Sequence, residues 1–100
     1  MNKIIEWFTE EEESNDIGEF LKFERIVDPP SQRPDLCAFL LLDKLLPGKR
    51  DIVSYAEHDQ IWLDVDIDAL AEVASKDDVV YLLRCGVWYD DDVESLSMFV

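Results

Sequence analysis

Cations are scarce in this 100-residue chain. Nine Lys and Arg stand against 24 Asp and Glu, with a single His, and the formal net charge is −15. A protein that grips DNA or RNA phosphates needs a basic face, so no direct binding to nucleic acid is expected. Adhesion to anionic membranes is unfavourable for the same reason. No apolar run reaches the roughly 18 residues that a membrane-spanning helix requires. The opening MNKIIEWFTEEEE has neither the long apolar stretch nor the small-residue cleavage site of a signal peptide, which predicts a cytoplasmic protein. Cysteine is limited to Cys37 and Cys85. Both sit in apolar runs and read as buried free thiols in a reducing compartment, not as a disulfide framework. With no CxxC and one His, a structural zinc site is not expected.

Apolar residues are plentiful, at 48% of the chain. That fraction supports a packed core, and the length bounds it to a single compact domain, 1–100. The charge is spread unevenly. Residues 1–28 carry nine acids against three bases, residues 29–56 three acids against four bases, and residues 57–100 twelve acids against two bases. The C-terminal part is therefore the strongest source of negative potential. Self-repulsion on this scale lowers stability and serves either solubility or attraction of a cationic partner.

Along the chain, Ile4 to Phe8 is apolar and fits a short strand or a helical turn. Residues 19–27 fit either period, and a helix capped by Asp16, with Ile17, Phe20 and Leu21 on its face, is the favoured reading. Asp28 to Pro34 is a Pro-rich connection, 28–34, without regular structure. Pro34 opens a helix from about Asp35 to Leu46 that is apolar on most sides, as a central helix would be. Pro47-Gly48 ends it. Ile52–Ala56 and Gln60–Val65 read as two strands joined by Glu57-His58-Asp59, an antiparallel hairpin over about 52–65. Ile61 and Leu63 point to one face, with Trp62 and Asp64 on the other. Asp66 or Asp68 caps a helix to about Ala74, and Ser75 with Asp78 opens a second, Lys76–Cys85, closed by Gly86. Val87–Tyr89 is a short strand, Asp90–Asp92 a turn, and about 95–100 a C-terminal strand. The fold class predicted is α+β: a small antiparallel sheet with three or four helices on one face.

Few motifs bear chemistry. Asp64, Asp66 and Asp68 imitate the opening of a calcium loop, but Ala69 stands where the turn needs Gly and Ser75 where a bidentate Glu belongs. Glu57, His58 and Asp59 are the weak metal candidates. One His with no Ser or Cys nucleophile at a recognisable spacing makes no triad, so no catalytic residue, no enzyme activity and no cofactor are expected. The acids of the C-terminal part are the candidate partner-binding set: Asp64, Asp66, Asp77, Asp78, Asp90, Asp91, Asp92 and Glu94, with Trp88 as an anchor beside them. Trp62 is the aromatic expected to be exposed. Carboxylates at alternate strand positions lie about 7 Å apart on one face. Such an array offers negative charge to a groove built for duplex phosphates, which come one per roughly 1.7 Å of axis.

The expectation is a small acidic non-catalytic protein that inhibits or sequesters a basic partner, either a nucleic-acid-binding protein or a nuclease. By analogy of size and charge it would be of the nucleic-acid-mimic kind that phages and mobile elements carry. An immunity or antitoxin protein for a nuclease toxin, and a structural accessory protein, are the alternatives. The apolar C-terminal strand SLSMFV is expected to offer an edge for a homodimer.

Overall fold

A computed structural model describes residues 3–12 and 21–99, with the backbone alone for 10–12. Asp16, Ile17 and Phe20, expected to open a helix, lie outside the described residues. In chain order the elements are α1 (Lys3–Glu12), α2 (Pro34–Leu45), β1 (Val53–Glu57), β2 (Gln60–Leu63), α3 (Ile67–Val73), α4 (Lys76–Arg84), β3 (Val87–Asp90) and β4 (Ser95–Phe99). The four strands form one antiparallel sheet in the order β1-β2-β4-β3. The described residues are thus α+β, with four α-helices and a small antiparallel sheet.

Period-two alternation gives the sheet its two faces. Ile61 pairs with Met98, which pairs with Val87; Leu63 pairs with Leu96, which pairs with Tyr89. All six are buried, and with Ile4, Phe8, Leu42, Leu70, Val79, Leu82 and Leu83 from the helices they make one core. The helices cover this face. Ile4 and Phe8, one helical turn apart, are both fully buried, so the apolar start of the chain is helix and not strand.

Local signals set most boundaries. Pro34 stands in the first turn of α2, where its missing N–H leaves no bond unmade. The Asp66 side chain accepts from the N–H groups of Asp68 and Ala69 at the start of α3. Ser75 and Asp78 form a reciprocal capping box on α4, with Asp in place of the usual Glu. Gly86 turns the chain from α4 into β3 at a φ of +95°, a conformation an L side chain resists.

Three expectations are corrected. Residues 21–27 hold only a single 3-10 turn, Phe23–Arg25, instead of a helix. Leu21 takes a φ of +63°, and its N–H donates to the Leu83 carbonyl at 2.9 Å. That tertiary bond ties the segment to the end of α4 and excludes helical backbone at Leu21. Second, α2 is not central. It buries Cys37, Ala38 and Leu42 but leaves Leu36 and Leu40 exposed, so it lies against the side of the core. Third, β4 offers no edge. It pairs with β2 on one side and β3 on the other, and the sheet edges are β1 and β3, so the expected route to a homodimer along SLSMFV is closed.

Cys37 and Cys85 are both buried free thiols. The Cys37 Sγ donates to the Ser31 carbonyl at 3.2 Å. Burial pushes the Cys85 thiol from 9.0 up to about 12, with Cys37 adding to the effect. Burial, followed by a hydrogen bond and charge interaction with Cys37, pushes the Tyr81 phenol from 10.0 to about 12. In the unfolded chain these groups release their protons near 9 and 10, whereas the fold holds them to about 12. The unfolded state then binds fewer protons, so stability is intact below pH 9 and falls as pH rises from 9 to 12. Urea midpoints measured across that range should decline, and Cys85→Ala should make the decline shallower. Gly86→Ala should lower stability by about 1–2 kcal/mol through its positive φ. The new Cβ would also meet the Leu21 Cδ2 at 3.0 Å, and urea unfolding reads the sum.

Candidate functional site

The face of the sheet turned away from the helices carries the residues of opposite phase. On β2 these are Gln60 and Trp62, on β4 Ser95, Ser97 and Phe99, on β3 Trp88 and Asp90, and on β1 Tyr55 and Glu57. An uncovered antiparallel face is normally polar. Here four aromatic rings lie on it.

Their arrangement follows from two small residues. The central strand β4 presents Ser95 and Ser97 to this side, which leaves room above it. The indole of Trp62 crosses that space from β2 and donates its Nε1–H to the Asp90 Oδ2 on β3 at 3.1 Å. Ser97, which has Trp62 and Trp88 as its register partners on either side, is 0% exposed although it lies on the open face. Its hydroxyl donates to the Ile61 carbonyl at 3.0 Å and accepts from the Gln60 Nε2 at 2.7 Å, so the burial leaves no bond unmade. The Ser95 hydroxyl donates to the Leu63 carbonyl at 3.0 Å. The Tyr55 and Trp62 rings lie 5.4 Å apart, and the Trp88 and Phe99 rings 4.6 Å apart, both pairs tilted. Trp62 and Trp88 are half-buried, while Tyr55 at 58% and Phe99 at 56% are the open members. Trp62, expected as the exposed aromatic, is therefore the floor of the layer and not its rim.

Asp90 also accepts the Asp92 N–H on its other oxygen, at 3.0 Å, which sets the turn between β3 and β4. Asp91, Asp92 and Glu94 are exposed on that turn, and Glu94 closes it at a φ of +52°. Burial raises the Tyr89 phenol first, and the charges of Glu94, Asp91 and Asp90 raise it further. The negative field of the turn thus reaches back into the sheet.

The candidate partner-binding residues fall into three groups. Trp88, Asp90, Asp91, Asp92 and Glu94 are brought together on β3 and the following turn. Asp64 follows β2 at the same end of the sheet, because Leu63 pairs with Leu96 beside the Ser95–Asp90 pair. Its carboxylate forms an ion pair with the Arg50 guanidinium. The two line a cleft of about 240 Å³ with Asp43, Lys49, Asp51 and Asp66, where charges of both signs meet. Asp66 and Asp78 are occupied as helix caps, and Asp77 is exposed in the first turn of α4. The strand β2 ends at Leu63, so Asp64, Asp66 and Asp68 form no strand-borne array of carboxylates. The Asp66 side chain holds its own helix instead.

His58 occupies the two-residue turn between β1 and β2 at a φ of +56°. Its Nε2 is 3.7 Å from the Glu57 Oε1, and both side chains are open to solvent. Among the described residues no three His, Cys, Asp or Glu side chains converge on a point that would hold a metal ion, Glu57, His58 and Asp59 included. Among the described residues no helix is long and apolar enough to cross a membrane. Sequence reasoning missed Tyr55, Gln60, Ser97 and Phe99. The alternation Ser95-Leu96-Ser97-Met98-Phe99 carried the signal, since small outward residues on a strand make room for large neighbours.

No protein-family model, no curated protein and no solved structure matches this chain.

The indole bond to Asp90 is open to a direct test. Trp62→Phe removes the N–H together with one ring of the indole, which should lower stability by about 1–3 kcal/mol. Asp90→Asn keeps an acceptor and should lower it less, and urea unfolding of the two variants measures the difference.

Proposed function

We propose that the chain is a small, non-catalytic acidic binding protein that sequesters a basic protein partner, one whose own ligand is a nucleic acid. The observation that supports this reading is the segregation of charge. None of the nine Lys and Arg falls within residues 53–63 or 87–99, which make up the four strands and their two hairpin turns. Those same residues include Glu57, Asp59, Asp90, Asp91, Asp92 and Glu94. The strands and their hairpin turns thus carry carboxylates and no Lys or Arg of their own.

A protein surface shaped to attract phosphates attracts carboxylates by the same Coulomb force. Steering of this kind speeds encounter and is screened by salt over a Debye length of about 8 Å at physiological ionic strength. Competition with nucleic acid then requires no imitation of helical phosphate spacing, only a higher local affinity for the same basic patch. Trp88 adds the apolar contact that charge alone does not provide.

The test is capture by the tagged chain from its native lysate, eluted stepwise with salt, followed by competition. The expected result is a basic protein released at high salt and displaced from the chain by duplex DNA. If that protein is a nuclease whose cleavage the chain blocks, the function is immunity against that enzyme. Capture only of neutral or acidic proteins, or retention insensitive to salt, overturns the electrostatic reading.

A further inference from the structure

The uncovered sheet face contains a shallow depression of about 400 Å³, lined by Ser54, Tyr55, Glu57, Trp62, Val93 and Ser95. We infer that this depression is the binding site for an arginine side chain of the partner, borne on an extended cationic segment. The inference rests on the proposed binding of a basic protein and names where and how that binding occurs.

Three features fit a guanidinium. Trp62 and Tyr55 present aromatic surface, and a planar cation gains from stacking on such rings. Glu57 places a carboxylate at the edge of the same depression. Its Oε2 meets the Tyr55 hydroxyl only at 3.5 Å and its Oε1 the His58 Nε2 only at 3.7 Å. Both contacts are long, so the carboxylate retains capacity for a bidentate partner. Third, the indole of Trp62 is pinned by Asp90, whose negative charge lies against the edge of the ring. That charge strengthens the attraction of the ring for a cation above it.

Other occupants fit less well. A second copy of this chain would bring Glu57 and the acidic turn of one molecule against those of another, with no Lys or Arg on either sheet to offset them. A nucleic acid would bring phosphates to the same carboxylates. A lysine ammonium supplies charge but not a plane to stack or a fork to match Glu57. Every residue of β1 is exposed, so an extended segment reaches the depression without displacing any part of the described fold.

The test uses the full chain and three synthetic peptides that alternate Thr with Arg, Lys or citrulline, the last a neutral match for arginine. Calorimetry gives affinity at low salt, and the Trp62 indole N–H resonance reports the site. The expected result is tightest binding of the arginine peptide, at least tenfold weaker binding of the citrulline peptide, and a shift of the Trp62 resonance. Tyr55→Ser and Glu57→Gln, both at exposed positions, should each weaken the arginine peptide about threefold to tenfold. Asp43→Asn and Glu72→Gln, which remove equal charge elsewhere, should change it less than twofold. Equal binding by all four variants overturns the site and leaves the basic-partner reading standing. Absence of binding to either cationic peptide overturns both. A dimer that Tyr55→Ser dissociates assigns the depression to a second copy and also overturns the site.

Discussion

The central strand β4 has to be covered on two sides, and the fold is organised around that requirement. Its inward residues Leu96 and Met98 meet the helical layer, which is the ordinary solution for a small α+β domain. Its outward residues are serines, too small to shield the strand themselves. Cover comes from across the sheet, where Trp62 reaches over β4 to Asp90. One indole therefore links strands that are not neighbours, and Ser97 is buried between it and Trp88 in the register. The aromatic layer is first a structural device. Its availability to a ligand follows from its incompleteness, because Tyr55 and Phe99 remain largely in solvent.

Charge follows a similar division of labour. The acids of a chain at −15 are not interchangeable. Asp66 and Asp78 cap helices, where the N-terminal N–H groups and the helix dipole favour a negative side chain. Asp64 has a cationic partner in Arg50. Asp90 shapes a turn and anchors an indole. What distinguishes the strands and their turns is that they contain no Lys or Arg, and not a higher density of acids.

Much of the fold was legible in the sequence. Pro34, Ser75 with Asp78, Gly86 and the hairpin around His58 each carry a local signal that the structure obeys. Where reading failed, a distant contact decided. Leu21 leaves helical geometry to reach the Leu83 carbonyl, sixty-two positions later, and no local pattern reports that. The apolar breadth of α2 could not reveal which of its faces meets the core, because Leu36 and Leu40 look no different from Leu42. The site was half legible. Trp88 and the acids from Asp90 to Glu94 are near neighbours in the chain, so their placement on β3 and the turn after it follows from local sequence. Tyr55, Glu57, Trp62 and Ser95 come together only once the order β1-β2-β4-β3 is known, and strand order is not written in periodicity.

That strand order also sets a schedule. During synthesis the hairpin of β1 and β2 can close as soon as it emerges, since its contacts are local. The strands β3 and β4 make a second hairpin whose contacts are equally local, and the sheet is completed when β4 pairs with the free edge of β2. Until that moment the backbone edge of β2 is unpaired, and an open strand edge is a template for association with other chains. A net charge far from zero keeps protein chains apart, so the −15 of this sequence also opposes association of such half-built chains.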